Sequence, residues 1–191
     1  MKKTRITNCQ SGYSILEVLI AALITALLAA SGFQFYTKMH GQSETQYNVS
    51  EMQQLARSSL YDMRKSLLQA GFKLTGHIPY KISGDTLAVY YSVTLPVDTI
   101  QYYLVEFTPD EYAKVPDRIS GIKLYKLVKK VNSEAAAIFA DYITGINFKQ
   151  LDAANIVVTL NVQAMRKDDS YKANSGFRIY TLTERINVRN V

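Results

Sequence analysis

From Tyr13 to Phe35 the chain is an almost unbroken run of apolar and small side chains (YSILEVLIAALITALLAASGFQF), with Glu17 as its one charged group. A run this rich in alanine and leucine forms helix readily and is long enough to cross a bilayer. From Thr37 the pattern turns polar, with no proline before Pro79. Apolar or small residues then recur at three- and four-residue steps at Met52, Ala56, Ser59, Leu60, Met63, Leu67 and Ala70. That periodicity predicts that one helix continues, with one face able to lie on a sheet and with Arg57, Asp62, Arg64 and Lys65 on a solvated opposite face. Gly71 reads as the helix C-cap, because glycine reaches the left-handed conformation without strain. Gly32 and Gly41 have weak helix propensity, so the segment between them is the place for bending or for close helix packing.

Beyond Pro79 the period changes from helical to alternating. Ser83-Gly84-Asp85 reads as a turn into a strand at 86–92, and 99–107 (TIQYYLVEF) reads as a second strand. The stretch Thr108–Ser120, holding Pro109 and Pro116, reads as an exposed loop. Residues 122–131 (IKLYKLVKKV) alternate apolar and basic, a strand with Lys123 and Lys126 outward and Lys129 continuing the row. Glu134–Tyr142 reads as a short helix, with Ser133 as N-cap and Glu134 at the positive end of its dipole. Three further strands are predicted at 145–151, 155–165 and 177–188, the last two as a hairpin. The expected fold is α+β: a long N-terminal helix, transmembrane then amphipathic, packed on an antiparallel β-rich domain.

Composition changes this picture little. At 191 residues the chain has room for one domain plus an anchor. Its net charge of +6 includes Lys2, Lys3 and Arg5 ahead of the apolar run, and without them +3 remains. That is a weak pull toward nucleic acid. Cys9 is the single cysteine and precedes the run, so the rest of the chain has no disulfide to lean on.

Candidate chemistry is sparse. His40, on the helix, and His77, in a turn, lack the spacing of zinc motifs. No glycine-rich phosphate loop and no serine elbow occurs. Asp168, Asp169 and Asn174 could offer oxygens to calcium, but Arg166, Lys167 and Lys172 in the same loop oppose a divalent cation, which favours a solvated loop. The lysine row could attract DNA or an acidic partner, against a plain solvated face. The fourteen tyrosines suit pleated surfaces. No catalytic residue, cofactor or metal ligand is expected, and no enzymatic activity.

Gly12, an aromatic Tyr13, Ser14-Ile15-Leu16, Glu17 and the apolar run, preceded by three basic residues, resemble the leader junction of type IV prepilins and type II secretion pseudopilins. A secretory leader would have a shorter apolar core and a small-residue cleavage site after it. An ordinary signal anchor would explain neither Gly12 nor Glu17. Leu60-Tyr61-Asp62-Met63-Arg64-Lys65 with Ala70-Gly71-Phe72, then Ile143 to Phe148 and Val188-Arg189-Asn190, resemble W-type minor pilins and the J pseudopilin.

The resemblance implies a leader at 1–12, cleaved between Gly12 and Tyr13 by a prepilin peptidase that methylates the Tyr13 amine. It implies an assembly helix at 13–41, and a periplasmic pilin-like domain at 42–191 made of an amphipathic helix at 42–71 and a β region at 79–191. Glu17 would be the docking carboxylate for a neighbouring subunit. The implied role is a minor pilin in a tip complex that primes type IV pilus assembly. A J-type minor pseudopilin of type II secretion, and a tip adhesin or DNA-uptake subunit, stand as alternatives. The implied partners are other minor pilins or pseudopilins, a major pilin, the peptidase, an inner-membrane assembly platform and membrane lipid, with nucleic acid disfavoured. The implied location is the inner membrane, single-pass, and then the tip of a pilus or pseudopilus.

Overall fold

The computed structural model describes residues 14–76, 78–93, 97–115, 119, 121–168 and 170–190. One helix, α1 (Ile15–Gln69), runs unbroken through Gly32 and Gly41, and around both glycines there is open space. The chain divides between Glu44 and Thr45 into two units, so α1 contributes to each.

In the unit Thr45–Val191, the periodic face of α1 is the one that is buried. Met52, Ala56, Ser59, Leu60, Met63 and Leu67 are all buried, and Leu60, Met63 and Leu67 are at most 1% exposed. Each such side chain contributes about 1.5–3 kcal/mol relative to exposure. Ser59, polar on an apolar face, is satisfied by donating to the Leu55 carbonyl at 2.8 Å. They pack on a seven-stranded antiparallel sheet whose strands lie in chain order: β1 (Tyr80–Ser83), β2 (Thr86–Tyr91), β3 (Asp98–Glu106), β4 (Tyr125–Val131), β5 (Ala137–Gln150), β6 (Asn155–Gln163) and β7 (Ile179–Asn187). Leu87, Val89, Tyr102, Leu127, Ile143, Val158 and Leu160 supply the sheet's side of the core.

The β1–β2 hairpin turns on Gly84 at φ 57°, the first of two loop residues, where a primed turn needs glycine. The β6–β7 hairpin keeps register from Asn155↔Asn187 to Gln163↔Ile179, as the alternation implied.

Three expectations need correction. Residues 134–142 are not helical: β5 starts at Ala137 and pairs with β4 through Lys129↔Ala137, Val128↔Ile138 and Leu127↔Ala140. The three alanines favour helix, but a helix this short does not sustain itself without packing. Ile138, Phe139, Tyr142 and Ile143 are strand formers with a waiting partner, so pairing wins. The stretch 108–120 is not all loop, because α2 (Pro109–Ala113) sits in it behind a capping box. Thr108 Oγ1 accepts from Glu111 N at 3.4 Å, and Glu111 Oε2 accepts from Thr108 N at 2.9 Å. Asp62 is not on a solvated face. Its carboxylate accepts from Tyr102 Oη at 2.5 Å and from Lys129 Nζ at 2.8 Å, while Tyr102 Oη also lies 2.8 Å from Ser66 Oγ. Burial, then the bond to Asp62, pushes the Tyr102 phenol far above its ordinary range, so it stays a neutral donor. This cluster ties α1 to β3 and β4.

The end of α1 is closed by the C-terminal residues. Gly71 has φ 77°, and a Cβ there would collide with the Asn190 carbonyl, while Asn190 Nδ2 donates to Ala70 O at 3.1 Å. Gly84→Ala is expected to cost about 1–2 kcal/mol from its left-handed backbone alone, since nothing lies within 4 Å of its Cβ position. Gly71→Ala should cost about 1–3 kcal/mol beyond that through the collision. Urea midpoints of the two variants, compared at equal m, measure the difference.

Candidate functional site

The segment Ile15–Glu44 stands apart because none of it is buried within the chain and its surface is apolar from Ile15 to Tyr36. Ile15, Leu16, Val18, Leu19, Leu23, Leu27, Leu28, Phe33 and Phe35 are all more than half exposed. The helix carries an 18-residue window of mean hydropathy 2.2, long and apolar enough to cross a membrane. At 1.5 Å per residue, Ile15–Tyr36 extends about 33 Å, against about 30 Å of bilayer hydrocarbon.

Three of its hydroxyl side chains bond back to the helix backbone. Thr25 Oγ1 donates to Ala21 O at 2.8 Å, Ser31 Oγ to Leu27 O at 2.8 Å, and Thr37 Oγ1 to Gln34 O at 3.0 Å. Each hydroxyl proton is thus satisfied inside the helix that carries it, where no water would be available.

Glu17 lies in the first turn of α1, after Ser14, whose Oγ accepts from Leu16 N at 3.3 Å. The positive end of the helix dipole favours a carboxylate there by about 0.3–1 kcal/mol. Among the described residues the Glu17 carboxylate has no hydrogen bond or ion pair. Magnitudes decide whether the segment tolerates it. An acid at mid-membrane costs about 2.5–3.5 kcal/mol, less near the interface, whereas eleven Ile, Leu, Val and Phe side chains at about 0.3–0.6 kcal/mol each return roughly 3–7. The balance leaves the segment able to insert with this charge aboard. Gly12 and Tyr13, the residues of the expected cleavage and methylation junction, lie outside the described residues, as does the whole leader 1–12.

Elsewhere the candidates resolve into structural contacts. Lys123 pairs with Glu106 at 2.8 Å, Lys126 with Glu111, and Lys129 with Asp62 at 2.8 Å. The row that read as an outward basic stripe is therefore matched acid for base, and Lys126 and Lys129 are partly buried. Asp168 is not a solvated loop residue. It is 8% exposed, accepts from Ser170 N at 2.9 Å and Ser170 Oγ at 2.6 Å, and pairs with Arg178 at 2.8 Å. The Ser170 bond first, with help from Arg178, holds its carboxyl below the usual carboxylate range. That carboxylate is already occupied. Asp169 and His77 lie outside the described residues, and Asn174 takes a left-handed φ of 49° in the same turn. His40 stands 6.2 Å from the Tyr36 ring on α1. Among the described residues no group of three or more His, Cys, Asp or Glu side chains is placed to hold a metal.

The capping box of α2 and the Asp62 cluster were not among the sequence expectations. The capping box of α2 was written in Thr108-Pro109-Asp110-Glu111, with proline at the first helical position. The cluster Asp62–Tyr102–Lys129 had no local signal, since its members are far apart in the chain. Compared with family models, curated proteins and solved structures, the chain matches none.

Proposed function

We propose that this protein is a minor pilin: a membrane-anchored subunit whose apolar helix joins a helical fibre core and whose β-rich domain helps form the tip complex that primes type IV pilus assembly. The observation that carries the reading is the bare apolar surface of Ile15–Tyr36 with Glu17 in its first turn, a carboxylate with no side-chain partner among the described residues. A plain anchor needs the apolar surface but has no use for the acid. A subunit that docks against a neighbour's amino terminus uses both. The resemblance at Gly12–Glu17 supplies the rest: cleavage after Gly12, a methylated Tyr13 amine, and a single-pass inner-membrane location with the domain in the periplasm. A J-type pseudopilin of a type II secretion system would use the same helix in the same way. The acid-matched lysine row supports leaving nucleic acid out of the proposal.

Mass spectrometry of the protein recovered from membranes tests this directly. The expected N-terminus is methylated Tyr13, with residues 1–12 absent, and Gly12 replaced by a bulky residue should leave the precursor whole. A mature chain starting at any other residue would overturn the proposal.

A further inference from the structure

A cavity of about 140 Å³ lies within the unit Thr45–Val191, where α1 at Asn48–Leu55 faces β5 at Asp141–Tyr142 and the end of β6 at Gln163. Its polar groups are unsatisfied. Gln163 is 2% exposed, yet neither Nε2 nor Oε1 has a hydrogen-bond partner, which costs about 1–3 kcal/mol for each such group. Asn48, 8% exposed on the facing turn of α1, also makes no side-chain hydrogen bond among the described residues. At the rim, Glu51 and Asp141 are exposed, and neither enters an ion pair among the described residues. Tyr142, beside Asp141, holds a left-handed φ of 55° where β5 bulges against β4, which turns this stretch of the strand at the cavity.

We propose that this cavity receives a single basic side chain, a lysine ammonium or an arginine guanidinium, presented by a neighbouring protein. The volume falls below the roughly 300–1,000 Å³ of small-molecule sites. At about 30 Å³ per water it holds about four waters, or one long side chain with a water left to accept from Gln163 Nε2. Leu55 and Val162 line the cavity and suit an aliphatic stem. The amide oxygens of Gln163 and Asn48 accept from the cationic head, and the two rim carboxylates oppose any anion. The field of those carboxylates is already felt at the site: burial first, then Asp141 and Glu51, raises the Tyr142 phenol.

The test is a titration of the full-length, ¹⁵N-labelled chain in detergent micelles, read at the Gln163 side-chain amide. Probes are N-acetyl-lysine amide, n-butylammonium, n-butanol and butyrate. The expected result is a saturable shift with the first two and none with butanol or butyrate. The lysine derivative should bind at least as tightly as the free amine, as a protein-borne side chain requires. Glu51→Gln with Asp141→Asn, two exposed positions that leave the core untouched, should weaken binding about tenfold. Gln163→Leu, which removes that reporter, should abolish the probe-induced shift of the Tyr142 backbone amide, the second ¹⁵N signal at the cavity. Equal shifts with butanol, silence with every probe, or unchanged affinity in the double variant would each overturn the proposal in favour of a water-filled cavity. Preference for the free amine over the lysine derivative would overturn the protein source.

Discussion

A chain lacking residues 1–41 is expected to move entirely from the membrane fraction to the soluble fraction and to stay folded. The deletion removes the eleven large apolar side chains of the Ile15–Phe35 run, and with them the roughly 3–7 kcal/mol that favours insertion. It removes nothing from the core. Every residue of the two buried clusters, from Met52 and Ala56 on α1 to Val188 near the C-terminus, belongs to Thr45–Val191. The Asp62–Tyr102–Lys129 cluster and the Asn190 bond to Ala70 also survive. The matching truncation past Gly71 should behave in the opposite way. It strips Leu60, Met63 and Leu67 from the sheet and bares Leu87, Tyr102, Leu127, Val158 and Leu160 as one apolar patch, which should aggregate. Sedimentation after membrane fractionation, with circular dichroism of the soluble material, separates the outcomes. Equal solubility of both truncations would contradict the packing of α1 on the sheet.

What could be read in advance was what repeats locally. The stripe from Met52 to Ala70 carries its own period, and each of its members is buried. The alternation in 86–91, 98–106, 155–163 and 179–187 likewise gave strands within a residue or two of their limits. Where the reading failed, a distant partner decided. Ala135-Ala136-Ala137 pointed to helix, but β4 offered a ladder to Ile138 and Ala140. Asp62 looked solvated on a helix projection because its partners, Tyr102 and Lys129, come from two strands far along the chain. Asp168 looked solvated for the same reason, its partner Arg178 arriving from beyond the turn. β1 was missed because four residues ending in a turn carry too little alternation to register. The cavity at Gln163 was invisible for a related reason: an unsatisfied amide is a property of what surrounds it, and Gln163 alone reads as one more polar residue at a strand end.

Replacing Glu17 with Gln or Val is expected to leave leader cleavage and membrane insertion nearly intact while sharply reducing incorporation into the tip complex. Removing the charge removes an insertion cost of up to about 2.5–3.5 kcal/mol, so the variant should enter the bilayer at least as well as the native chain. The proposed cleavage would depend on Gly12 and Tyr13, which the substitution does not touch. The loss falls on assembly. Within lipid an unpaired carboxylate gains most from a neighbouring cation, and the proposed one is the methylated amine of Tyr13 on the next subunit. Breaking one side of such a desolvated pair leaves the other charge stranded, at about 3–5 kcal/mol, or roughly two to four orders of magnitude in a docking equilibrium. Glu17→Asp should recover part of the loss, since the charge is kept but withdrawn by one methylene. Pulldown of partner subunits from solubilised membranes, set beside the amount of processed protein and the number of pili, measures each step separately. A Glu17→Gln protein that is cleaved, stable and fully incorporated would show that the acid is not the docking charge, and would leave the β-rich domain as the part through which the subunit is recruited.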